Sequence, residues 1–485
     1  MEPTTVEVQN NSGRVRGLLL KSGADSDDSC PVAEFRGPSY AARPALWEAP
    51  RPVRIRDAPG VLDFTGLAPV PPQPRVAENE TGPGSYLTLT VRTPWPLDRP
   101  RPVLVWLCVG GNIVGRTDAA PFTTSTIASS GVVLVTVAAR LGPAGFAPVD
   151  DAPDNRAVLD WIAALEWVRD EIAAFGGDPH TVTIGGQSAG GGAVTALLAS
   201  TRAGGLFHRA IIMSSATPST AREPAARATA AFAKRLGVAP TAAALSRVPY
   251  DRLIGEVADT FGPRWRVDDP VIRVRHMREG PPFRIVDDAA LNLGPVLPAL
   301  KTGTGAGVPV LIGSTTEEFT DAFGPLSDRL HGDALARAFD EIAPGAATSI
   351  RWYRDRMPAS SAGQILGQAF TDATFRTTPV RVAAARSAAT APTFLYETGP
   401  FAAGPSAAHS VDVAAALGSA HTNDLPSAIA HQLASAWSQF VLTGSPGWDP
   451  WCDGHRVHRF ATGASASAQD AGADLDEIAG VWAGR

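Results

Sequence analysis

The pentapeptide Gly186-Gln187-Ser188-Ala189-Gly190 restricts what this chain can fold into more than any other stretch. It follows the β-branched run Thr181-Val182-Thr183-Ile184 after one glycine and leads into a small-residue helical pattern, so it reads as a strand, a tight turn and a helix. Crowding at such a turn admits only residues without bulky side chains beside the serine. The serine hydroxyl is pushed out at the top of a sheet, next to a helix N-terminus that favours negative charge. In a chain with 47 glycines the competing reading is a serine in an ordinary Gly-rich turn. The strand before it and the helix after it favour a nucleophile.

The rest of the middle of the chain supports that setting. Val103-Leu104-Val105-Trp106-Leu107 and Val132-Val133-Leu134-Val135-Thr136-Val137 are nearly continuous apolar runs, the pattern of strands covered on both faces. Val158, Ile162, Leu165, Val168 and Ile172 fall at helical spacing, and Phe175-Gly176-Gly177-Asp178-Pro179 is a stop signal. Further strands are expected at Ala210–Met213, Val308–Ile312 and Thr393–Tyr396. Strands alternating with helices predict an α/β fold, a central mostly parallel sheet with helices on both faces. Two Ala-rich stretches, at about 217–305 and 320–390, interrupt the rhythm and are expected to form helical cap insertions over a site at the strand C-termini. The Pro-rich first hundred residues, with the alternating segment Tyr86–Val91, are expected to form an antiparallel edge. The stretch 461–473 is small and polar, and an irregular tail is expected there.

Composition narrows the classes. The chain of 485 residues is 44% hydrophobic and 19% charged with a net charge of −6, which is globular and carries no basic stripe for nucleic acid. No run of eighteen apolar residues suggests a membrane span, and the opening Met1-Glu2-Pro3-Thr4-Thr5 has neither a basic nor an apolar region, so a cytoplasmic location is expected. The cysteines Cys30, Cys108 and Cys452 are odd in number and far apart, which fits a reducing compartment. No zinc spacing and no phosphate-binding glycine loop occurs, so no metal or cofactor is expected. A monomer or homodimer is expected.

A serine nucleophile needs a base, and the base needs an orienting carboxylate. In the strand–turn–helix setting the chain order is serine, acid, histidine. Glu317 and Glu318 follow the strand at Val308, and His421 follows the strand at Thr393. At this point the chain resembles the type-B carboxylesterase family, which includes bacterial para-nitrobenzyl esterases and cholinesterases. The resemblance runs through Phe35–Ala41, Arg140–Phe146, Asn155–Val168, Phe175–Pro179, Leu206–Ile211, Gly313–Glu318 and Trp437–Pro446. It implies an α/β-hydrolase fold, a single domain over 1–485 and a Ser-His-Glu triad. It makes Ser188 the nucleophile, His421 the general base and acid, and Glu318 the orienting carboxylate. Glu317 is the alternative acid and His409 an alternative base. The family's oxyanion loop corresponds to Cys108-Val109-Gly110-Gly111-Asn112, which implies donor amides from Gly110, Gly111 and Ala189.

Cys108, Val109, Asn112 and Gln187 depart from the family pattern, where a histidine, a glycine, an aromatic residue and a glutamate are usual. They predict a reshaped substrate pocket. Gln187, together with the lack of a tryptophan around Glu78 to Ser85, argues against cationic substrates. The expected activity is hydrolysis of neutral small-molecule esters through an acyl-enzyme. The competing expectations are an acyltransferase or lactone-forming enzyme with the same triad, and a weak or non-catalytic ligand-binding member.

Overall fold

A computed structural model describes residues 4–10, 13–20, 30–43, 45–55, 60–74, 76, 84–119, 122, 126–216, 219–401, 406–418, 425–452, 456–462 and 468–483. Its strands are β1 (Thr5–Asn10), β2 (Gly13–Leu20), β3 (Val32–Ser39), β4 (Val61–Asp63), β5 (Thr88–Pro94), β6 (Arg101–Leu107), β7 (Val133–Val137), β8 (Gly177–Gln187), β9 (Arg209–Met213), β10 (Ser219–Thr220), β11 (Ile285–Val286), β12 (Val310–Thr315), β13 (Thr393–Thr398) and β14 (Val457–Phe460). Twelve of them form one sheet in the order β1-β2-β3-β5-β7-β6-β8-β9-β12-β13-β14, with β4 beside β2; β10 and β11 pair separately.

The two halves of the sheet differ as the sequence patterns do. From β7 to β14 all neighbours run parallel. Helices cover this half on both faces, so β6, β7 and β9 bury successive side chains and read as unbroken apolar runs. The β1-β2-β3-β5-β7 edge is antiparallel, as the alternating N-terminal segments suggest. The helix Arg156–Glu171 packs Val158, Trp161, Ile162, Leu165 and Val168 into the main core. A short 3₁₀ turn extends it to Phe175, and Gly176 ends it at φ +79°, where a side chain would be strained.

The segment between β9 and β12 holds three longer helices, Arg222–Leu236, Tyr250–Phe261 and Pro270–Glu279. Between β12 and β13 lie Asp333–Ile342, Ala362–Thr371 and Thr377–Ala385, joined through a π-helical turn at Asp372–Arg376. The expectation of an irregular tail is corrected: Ala468–Val481 is a helix. Asp474 on it receives Arg376 at 2.8 Å and Arg459 at 3.1 Å, and the Trp482 indole N–H donates to the Tyr353 hydroxyl at 2.9 Å. Tertiary partners hold a helix there that the composition does not announce. Among the described residues no helix is long and apolar enough to cross a membrane.

Candidate active site

Register places the chemistry at one edge. Gly186 and Gln187 at the end of β8 lie beside Ile212 and Met213 of β9, while Thr315 ends β12 opposite Thr398 of β13. Ser188, Glu318 and His409 therefore leave the carboxyl ends of β8, β12 and β13, where open parallel sheets gather their sites.

Ser188 sits at φ +56°, ψ −119°, a strained conformation for a residue with a side chain. Its N–H donates to the Met213 carbonyl at 2.9 Å, and its carbonyl accepts from Gly192 at 2.9 Å, so the strain is held by β9 and by the first turn of the helix Ala189–Leu198. The flanking glycines are required by space. A Cβ on Gly186 would lie 2.5 Å from the Gly190 backbone, and one on Gly190 would lie 2.7 Å from the Leu107 carbonyl. The Ser188 hydroxyl has no hydrogen-bond partner among the described residues.

Glu317 and Glu318 divide two tasks. Glu318 is buried; one carboxylate oxygen accepts the Thr315 N–H at 2.9 Å and the other meets His409 Nδ1. The Glu318 carbonyl also accepts the His409 N–H at 3.1 Å. Glu317 instead fixes the loop that delivers the histidine, accepting from the Ser406 hydroxyl at 2.9 Å and the Ala407 N–H at 2.7 Å. The His409 ring packs against Phe319 and Phe375, with centroids 4.9 and 5.3 Å away. An ionised carboxylate only accepts, so Nδ1 carries the proton and Nε2 the lone pair. Gln187 Nε2 lies 3.2 Å from that Nε2, placed to donate to it.

The expected base, His421, lies outside the described residues. Among the described residues the histidine on Glu318 is His409, with Thr315 on the other carboxylate oxygen. His409 is the alternative base that the sequence offers. The available signal was distance along the chain: His409 follows the end of β13 by eleven residues, a short reach back to the acid.

In the oxyanion loop the expectation for Gly110 is corrected. The Gly110 N–H donates to the Val114 carbonyl at 2.7 Å, closing a tight turn, so that amide is occupied. Gly111 and Ala189 line the cavity that holds Ser188, and their amides have no acceptor among the described residues. Asn112 lines the same cavity at φ +62°, and its side-chain amide donates to the buried Phe283 carbonyl at 3.0 Å. Cys108 does not line it. Its thiol is buried and directed at the Trp106 carbonyl, and burial pushes its ionisation far above the ordinary range, so it is no nucleophile. Gln187 faces His409 and does not line the cavity.

The cavity, of about 180 Å³, has an aromatic wall from Trp265, Phe319, Phe370 and Phe375, contributed by both insertions. Behind the Glu318–His409 pair lies Asp412, which sequence reasoning missed. It is fully buried, accepts from the Thr398 hydroxyl at 3.4 Å, and its second oxygen has no partner among the described residues. Burial, with the Glu318 charge adding to it, pushes this carboxyl up to about 7.

Comparison with known proteins agrees with this geometry. A family model described as the carboxylesterase family matches residues 2–456. The para-nitrobenzyl esterase of Bacillus subtilis (strain 168) is 31% identical over 446 residues, covering 86% of this chain and 87% of that protein. The phenmedipham hydrolase of Pseudarthrobacter oxydans is 38% identical over 237 residues, 45% of this chain and 47% of the relative. Among solved structures, a PNB esterase matches with a TM-score of 0.74 at 27% identity, covering 94% of this chain and 96% of the other. A carboxylesterase of Geobacillus stearothermophilus matches with a TM-score of 0.78 at 25% identity, covering 98% and 99%.

Proposed function

The chain belongs to the carboxylesterase family and has its α/β-hydrolase fold, and from that premise we propose that it hydrolyses small carboxylic esters with Ser188 as nucleophile, His409 as general base and acid, and Glu318 as the carboxylate that orients His409. His409 takes the role expected of His421. The observation that carries the reading is the contact of His409 Nδ1 with the buried Glu318 carboxylate, with His409 Nε2 3.2 Å from Gln187, the chain neighbour of the strained Ser188.

The reaction runs in two halves. His409 Nε2 exchanges its Gln187 contact for the Ser188 hydroxyl and takes the proton as Oγ attacks the ester carbonyl. The carbonyl electron pair moves onto oxygen, which is received by the Gly111 and Ala189 amides at the N-terminus of the Ala189–Leu198 helix. Collapse breaks the bond to the alcohol, which leaves with the proton from Nε2. Water then repeats the sequence on the acyl-enzyme and releases the acid. Glu318 holds the imidazole tautomer and stabilises the imidazolium in both halves. With Gly110 turned inward, the two remaining amides carry the oxyanion, and loss of either costs about 3–4 kcal/mol of transition-state stabilisation. The reacting end of the substrate is neutral and sits against the aromatic wall.

Labelling with a fluorophosphonate, followed by p-nitrophenyl esters of graded chain length, tests the reading. Wild type is expected to label at Ser188 and turn over esters, and Ser188→Ala to lose both. Unlabelled wild type, or turnover that survives in Ser188→Ala, would overturn it.

A further inference from the structure

The cavity that holds Ser188 is lined by two arginines, Arg278 and Arg284, and by no aspartate or glutamate among the described residues. Arg284 is half-buried and makes no hydrogen bond or ion pair with any described residue. Desolvation by burial is the main influence on its guanidinium and opposes its charge. A second cavity borders Arg284, and the acid there, Glu279, is held by Arg264 Nη2 at 2.5 Å. Burying a charge without a partner is unfavourable, so an arginine kept in this state beside a nucleophile needs a reason.

Its backbone is fixed on both sides. Immediately before it, the Phe283 carbonyl accepts from Asn112, the neighbour of the oxyanion donor Gly111. Two residues after it, Val286 exchanges two bonds with the Asn155 side-chain amide, each 2.9 Å. The backbone that carries Arg284 is thus tied through Asn112 to the loop that receives the reacting oxygen. A planar fork of donors on a fixed backbone, in a pocket with aromatic walls, suits a carboxylate carried at the far end of an otherwise apolar ester.

We propose that Arg284, with Arg278 on the same cavity wall, forms an anion subsite, and that the favoured substrates are carboxylic esters bearing a second, free carboxylate, such as half-esters of dicarboxylic acids. This rests on the hydrolase reading above and narrows it: the ester end is neutral and the distal end is anionic.

The test compares ethyl hydrogen adipate with ethyl hexanoate, which have similar chains and differ in the terminal carboxylate, by proton release in a pH-stat. Wild type is expected to favour the half-ester in kcat/KM by about tenfold or more, the worth of a partly desolvated charge-assisted contact. In Arg284→Gln that ratio is expected to fall about tenfold, mainly through KM, and Arg284→Lys to restore part of it. A wild-type preference for ethyl hexanoate, or a ratio unchanged in Arg284→Gln, would overturn the proposal. Titration calorimetry of adipate into Ser188→Ala protein needs no turnover. Binding there that is lost in Ser188→Ala/Arg284→Gln supports the subsite even if the hydrolase reading fails, and absence of binding counts against the subsite alone.

Discussion

Asp412→Asn should change the pH dependence of stability by an amount the structure sets. The Asp412 carboxyl is raised from its ordinary 3.8 to about 7 by burial and by the Glu318 charge. The folded chain therefore keeps a proton that the unfolded chain releases above about pH 4. For a carboxyl raised in this way, the stabilisation is fully present below 3.8 and is lost progressively as pH rises through 7. Wild type loses about 4 kcal/mol by pH 8, of which less than half is already lost at pH 5. Asparagine cannot ionise and has no such loss. Variant-minus-wild-type unfolding free energy is thus expected to rise by about 2–3 kcal/mol between pH 5 and pH 8. Any constant effect of the amide on packing cancels in that comparison. Urea unfolding followed by the fluorescence of the 11 tryptophans measures it. A difference that stays flat or falls with pH would refute the reasoning, because it would mean Asp412 is ionised at little cost beside Glu318.

Other outcomes follow from the same geometry. Gln187→Glu places a carboxylate 3.2 Å from the base nitrogen in place of a neutral amide, and the acidic limb of the kcat/KM profile is expected to move up by about one pH unit; an unmoved limb would show that Gln187 does not face the base during turnover. Glu318→Gln removes the carboxylate that fixes the imidazole tautomer, and kcat should fall by about 10³–10⁴ with KM little changed, read by steady-state kinetics. Gly190→Ala puts a Cβ 2.7 Å from the Leu107 carbonyl and is expected to cost about 1–3 kcal/mol in thermal or urea unfolding, besides displacing Ser188.

How much of this was legible in sequence depended on whether local pattern or distant contact decided each element. The strands β6, β7 and β9 are buried on both faces, which leaves an unbroken apolar run in the sequence. The elbow is legible because steric crowding at Gly186 and Gly190 dictates residue type locally. Glu318 is legible because it follows β12 by three residues. His409 is not, since its position depends on Glu317 holding Ser406 and Ala407 and on two phenylalanine rings. Gly110 was misassigned for a similar reason. The substituted loop closes on Val114, a backbone bond that no residue pattern announces. The insertions were legible as helical in character, but the placement of Trp265, Arg284 and Phe375 around one cavity arises only when they pack over the sheet.

The central claim is that Glu318 works through His409, and it is tested by steady-state hydrolysis of a p-nitrophenyl ester in His409→Ala and His421→Ala, with fluorophosphonate labelling of Ser188 alongside. His409→Ala is expected to lose about three orders of magnitude or more in kcat/KM and to label slowly, while His421→Ala stays within a few-fold of wild type. The reverse pattern, with activity retained in His409→Ala and abolished in His421→Ala, would contradict the account.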